Sequence, residues 1–147
     1  MAGGAFALQA IYIKEIPIAI ASDAEKYAIE TLVDYVIYLT AQLKDIPSHG
    51  ENLMATADDK LMLSYFEQII DAVVLELYIP NDIHEHGKHF IRHLLQEDLP
   101  KLDTIPGDKM NALRQIFRRL YDPDHPIRTG ILSLDSVPAV RVIRGMK

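Results

Sequence analysis

The chain has no cysteine, which excludes disulfides and thiolate metal sites and suits a cytoplasmic setting. No apolar run reaches the roughly 18 residues that a membrane-spanning helix needs, so no membrane partner is expected. The apolar start MAGGAFALQAIYI lacks the basic n-region of a secretory signal, and none is read there. Glycine is sparse, with seven residues and one adjacent pair, Gly3-Gly4. No P-loop, G-x-G-x-x-G or G-x-S-x-G motif occurs, so the common phosphate-cradling loops and the nucleophile elbow are absent. Basic residues are scarce early. Residues 1–100 hold six Lys/Arg against sixteen Asp/Glu, whereas residues 101–147 hold nine against five. A net charge of −6 gives no general attraction to nucleic acid. The basic C-terminal third either touches phosphates or neutralises the acidic helices it packs on, the second being the commoner arrangement.

What is present is a 147-residue chain, 49% hydrophobic and 24% charged, long enough to bury one core as a single domain. Its organising stretch is Leu61 to Tyr78, LMLSYFEQIIDAVVLELY. Apolar residues recur there at i, i+3, i+4 and i+7 over five turns, the pattern of an amphipathic helix with a wide buried stripe. Glu67, Gln68, Asp71 and Glu76 fall on the other face. Asp58 and Asp59 precede the stretch, where carboxylates complement a helix dipole, and Pro80 stops it.

Ahead of this helix, Ile11, Tyr12, Ile13 and Ile16-Pro17-Ile18 predict a short or edge strand. Ser22-Asp23-Ala24-Glu25 is a capping box, opening a helix to about Leu43, and residues 45–58 read as a loop. Two long helices so joined predict an antiparallel hairpin. Pro80-Asn81-Asp82 opens a third helix running to near Asp98, with Ile83, Phe90, Ile91, Leu94 and Leu95 as its stripe. A fourth spans about Asp108 to Tyr121, with Met110, Leu113, Ile116, Phe117 and Leu120 inward. In the tail, Val140, Arg141, Val142 and Ile143 alternate as a strand does.

The densest polar cluster is IHEHGKHFIRH, holding His84, His86, His89 and His93. On one helix, His86, His89 and His93 share a face, and a pair at i, i+4 such as His89 and His93 is able to bind Zn²⁺. The zincin pattern fails because Phe90, not Glu, follows His89, and Gly87 weakens a helix there. No metal is assigned, with His86, His89 and His93 the candidates. Asp58-Asp59-Lys60 contains a nuclease-like D-x-K, but its required earlier Pro-Asp is missing. Helix capping accounts for these carboxylates. Arg114, Arg118 and Arg119 form a basic patch able to meet phosphate or acidic neighbours. No complete catalytic site is visible.

The segment GGAFALQAIYIKEIPI and the following ASDAEKYAIETLVDYVIYL resemble the end of a TaqI-like C-terminal specificity region. Such regions occur in adenine-N6 DNA methyltransferases and type II restriction–modification enzymes. The features that carry the resemblance are Phe6, Gln9, Tyr12, Ile16-Pro17-Ile18 and the capped helix after Ser22. Ile70 to Tyr78 is similar to that family's I-D-x-x-V-x-x-L-Y helix, and DPDHPIRTGILSLDSVPAVRVIRG looks like the C-terminus of large fused members. The resemblance implies a parent that methylates adenine with S-adenosylmethionine after flipping the base. The Asn/Asp-Pro-Pro-aromatic motif of that chemistry is absent, since no two prolines are adjacent.

Together these features predict a mainly α fold. It is a helical bundle with an antiparallel helical hairpin and short β-strands near both termini. Residues 1–21 form a strand-rich leading segment, 22–121 a helical core and 122–147 a basic tail. The implied role is a non-catalytic C-terminal portion of a larger DNA methyltransferase or restriction–modification protein, supporting target recognition. Its partners are the parent's other domains, with double-stranded DNA as a further candidate through Tyr12, Lys14, Arg114, Arg118 and Arg119. The fragment itself needs no cofactor. The alternative is a helical protein–protein interaction module with no nucleic-acid role.

Overall fold

Ser22 and Glu25 form the reciprocal cap that their spacing predicts. The Ser22 N–H donates to Glu25 Oε1 at 2.7 Å and the Glu25 N–H donates to Ser22 Oγ at 3.2 Å. Two orphan donors of the first turn are thereby satisfied, and α1 runs from there as Asp23–Lys44. The computed structural model describes residues 22–44 and 53–145. The N-terminal strand expected around residues 11–18 lies outside the described residues, as do Tyr12 and Lys14.

The central helix α2 is Leu53–Tyr78, which begins eight residues before the expected Leu61. Asp58 and Asp59 therefore sit inside it and do not cap it. The reason is tertiary. Asp59 is buried and accepts a two-pronged hydrogen bond from Arg114, a partner 55 residues away that local spacing does not reveal. Met62, Tyr65, Phe66, Ile69, Ile70, Ala72, Val73, Val74 and Leu75 are all buried, so α2 is covered around much of its circumference.

Helix α1 makes the most extensive contact with α2. It lays Leu32, Val36 and Leu39 into the core, with the Tyr35 ring 5.8 Å from that of Phe66. The two long helices expected to pair are thus in contact along the core. The Tyr35 hydroxyl donates to the Pro100 carbonyl, tying α1 to the later connector. Burial holds the Tyr35 and Tyr65 phenols well above their ordinary pKa.

A single residue separates α2 from α3 (Pro80–Glu85), with Pro80 at the first position, where a missing N–H costs nothing. The single third helix expected to reach Asp98 is in fact two. Gly87 adopts φ +74°, a left-handed conformation that glycine takes without a Cβ penalty. The chain turns there and restarts as α4 (Phe90–Glu97). Helix α5 is Lys109–Leu120, capped by Asp108 Oδ1, which accepts from the Asn111 N–H at 3.2 Å. The Tyr65 hydroxyl donates to the Leu120 carbonyl at 2.7 Å within the core, joining α2 to the end of α5.

The C-terminal strand expected over 137–144 is not formed. The tail is α6 (Pro126–Leu132), a 3-10 turn over Leu134–Ser136 and α7 (Pro138–Ile143). Leu134, Val137 and Val140 are buried while Val142 and Ile143 are exposed. The buried residues thus recur every third position, which a helix satisfies and an alternating strand does not. Pro138 opens the helix. No strand occurs among the described residues, and none of their helices is long and apolar enough to cross a membrane.

Helix α6 approaches α4 so closely that a Cβ on Gly130 would lie 2.8 Å from Phe90 Cε1 and 3.1 Å from Cζ. Phe90 is buried, so its ring would have to shift within the packed α4–α6 contact. Gly130→Ala is expected to lower stability by about 1–3 kcal/mol, measured by urea denaturation. An unchanged midpoint would show that the α4–α6 contact is looser than this.

Candidate functional site

The three arginines of α5 share one helix but have separate fates. Arg114 Nε and Nη2 donate to Asp59 Oδ1 and Oδ2, each at 2.9 Å. This fork-to-fork geometry is the strongest that a guanidinium and a carboxylate adopt. Arg119 Nε donates to Glu97 Oε1 at 2.5 Å. Arg118 is exposed and has no ion-pair partner among the described residues. Of the expected phosphate patch, two members are therefore committed within the fold.

The same holds for other basic groups of the C-terminal third. Arg144 bridges Asp71 of α2 at 3.4 Å and Asp135 at 2.7 Å. Lys101 lies 4.0 Å from Asp34 of α1. Arg128 sits 3.7 Å above the Tyr121 ring, a cation–π contact. His125, largely buried, hydrogen-bonds the other oxygen of Glu97 through Nε2 at 2.7 Å. Burial pushes the Glu97 carboxyl up, but hydrogen bonds from His125 and Arg119, with their charges, outweigh it. The net result lies below the usual carboxylate range.

The histidine cluster is rearranged by the break at Gly87. His86 Nδ1 hydrogen-bonds the Asp82 carbonyl at 2.9 Å, and His93 Nδ1 hydrogen-bonds Gln96 Oε1 at 3.2 Å. Both line one cleft with His89, but neither joins it in a set of three ligand atoms within 4.8 Å among the described residues. Instead His89, at the N-cap of α4, stacks on His84 with ring centroids 4.5 Å apart. Both face Glu76, near the end of α2. Glu76 is 5% exposed; its Oε2 is 2.7 Å from His84 Nε2 and its Oε1 accepts from the Ile91 N–H at 2.9 Å. That second bond places a carboxylate on the positive end of α4. Desolvation, then the nearby Arg92 and His84, hold the His89 imidazole below its ordinary pKa against the opposing pull of Glu76.

Glu76, His84 and His89 offer one carboxylate and two imidazole ligand atoms within 4.8 Å of one another. The His89 ring also borders a cleft of about 180 Å³ shared with His93, Thr129 and Ser133. Spacing alone puts Glu76 on the solvent face, whereas it is buried. The one signal of its real place is a lone carboxylate inside the apolar run VVLELY. Asp59, Glu97 and His125 carried no local signal, since their partners are distant in sequence. No family model, curated protein or solved structure matches the chain.

Arg114→Ala strands a buried carboxylate, so a loss of about 2–3 kcal/mol is expected. A denaturation double-mutant cycle with Asp59→Ala should return a coupling of about 1–3 kcal/mol, and additive losses would mean that the pair does not act as a unit. Glu97 titrates lower in the folded than in the unfolded state. Its contribution is complete above the ordinary glutamate pKa of about 4.3 and is lost as pH falls through its folded value. Melting curves between pH 7 and pH 3 should fall more steeply for the wild type than for Glu97→Gln. Parallel curves would remove Glu97 as a source of acid sensitivity.

Proposed function

We propose that the chain is a non-catalytic helical module of a larger restriction–modification or adenine-N6 DNA methyltransferase protein. It braces the target-recognition region and leaves base reading to other parts of the parent. The family part of this reading rests on the resemblance of residues 3–39, Ile70 to Tyr78 and the tail. The bracing part rests on one observation: four of the nine Lys/Arg in the C-terminal third pair with the acidic helices. Lys101, Arg114, Arg119 and Arg144 each reach a carboxylate within the first hundred residues. A guanidinium held in a fork on a buried carboxylate is poorly available to phosphate, because leaving would strand the partner charge. S-adenosylmethionine would belong to the parent's catalytic domain and not to this chain.

A second reading, a protein-interaction module without nucleic-acid contact, is favoured by the exposed Leu132, Val142 and Ile143 near the C-terminus. Exposed aliphatics of this kind, where they form a continuous patch, mark contact surfaces.

Fluorescence anisotropy with a labelled duplex at low salt tests both. Bracing predicts weak binding with a shallow salt dependence, since Arg114 and Arg119 of α5 are already paired with carboxylates and few phosphates are neutralised. Arg118→Ala should reduce the salt slope by about one, whereas Arg114→Ala should lower stability without changing affinity. The bracing role is overturned if Arg114→Ala or Arg119→Ala weakens binding as much as Arg118→Ala at unchanged stability. Absence of DNA affinity together with self-association that Val142→Glu abolishes would select the second reading.

A further inference from the structure

We propose that Glu76, His84 and His89 form a binding site for one divalent transition-metal ion of the Zn²⁺ class, at the junction of α2, α3 and α4. The inference is independent of the parent protein's identity. Two imidazoles and a carboxylate are the donor set that borderline cations prefer, and three protein ligands with an open position are a recurrent Zn²⁺ arrangement. The residues come from three places in the chain: the last turn of α2, α3, and the connector that Gly87 bends back. The turn at Gly87 brings His84 and His89 together.

The geometry needs only a small adjustment. Bonds of 2.0–2.1 Å in a tetrahedron separate ligand atoms by about 3.3 Å. The Glu76 Oε2 to His84 Nε2 separation is 2.7 Å, so an ion replaces the shared proton with a slight opening of the pair. The widest separation in the set is within 4.8 Å, to be closed by roughly 1.5 Å to reach that spacing. The His84 and His89 rings stack at 17°, so one must rotate about its side-chain bonds for both lone pairs to converge. His89 is the ring able to do so. It lies in a connector and is half-buried; its carbonyl accepts from the His93 N–H, while its imidazole has no hydrogen-bond partner among the described residues. Glu76 is the fixed member, because its second oxygen is held by the Ile91 N–H at 2.9 Å. This is the outer-shell contact that orients a ligating carboxylate. Water completes the shell at the open position, as at other three-ligand Zn²⁺ sites.

The test is calorimetric titration of the tag-free full chain with Zn²⁺ after chelator dialysis. One saturable site per chain is expected. His84→Ala and His89→Ala should each weaken it by at least about tenfold, while His86→Ala and His93→Ala should stay within about twofold of the wild type. Should the two weakening variants fold poorly by circular dichroism, the wild type itself decides. Bound Co²⁺ should shift the ring resonances of His84 and His89 strongly, and those of His86 weakly. The proposal is overturned by the absence of a saturable site, or by His86→Ala or His93→Ala costing as much as His84→Ala. Equal Co²⁺ shifts at all the histidine rings would overturn it too.

Discussion

Helix α2 imposes the constraint on which everything else depends. Nine of its residues between Met62 and Leu75 are buried, more than one apolar stripe can place against one neighbour. A helix this apolar around its circumference is stable only when covered from several directions. The remaining elements supply that cover: α1 along its length, then α3 to α6 against other parts of its surface. Five of the other six helices among the described residues, α1 and α3 to α6, pack against α2.

That arrangement creates an electrostatic demand. Covering α2 carries Asp59 and Glu76 out of water, and a carboxylate so placed needs a partner. Asp59 finds Arg114, while Glu76 finds His84 and the first turn of α4. The charge imbalance along the chain acquires a physical role in this way. The acidic first hundred residues supply the core helices, and the basic remainder closes over them with charges of opposite sign. That pairing leaves the His89 imidazole stacked on His84 beside the buried Glu76 carboxylate.

Local pattern made much of this legible. The Ser22–Glu25 cap, the helix start at Pro80 and the apolar stripe of α2 are each set by contacts within a few residues, and each is legible in the sequence. The break at Gly87 was readable only as a weakness. Whether a helix tolerates one glycine at a cost of about 1 kcal/mol depends on what its flanking residues gain by bending. Here the bend lets Ile83 and Phe90 both enter the core. The tail forms helices and not a strand because, although Val140, Arg141, Val142 and Ile143 fit a period of two, burial selects Leu134, Val137 and Val140.

The sequence by itself determined the class of fold, the position of the central helix and the charge asymmetry. All three arise from residue spacing and composition, which act over one or two turns. Tertiary structure alone decided that Asp59 is a clamp and not a cap. It also committed Arg114 and Arg119 inward, and joined His89 to His84 and Glu76 in place of His93. Each of these depends on residues brought together across a connection. The energy that selects them is burial of α2, a property of the whole assembly that no local window contains.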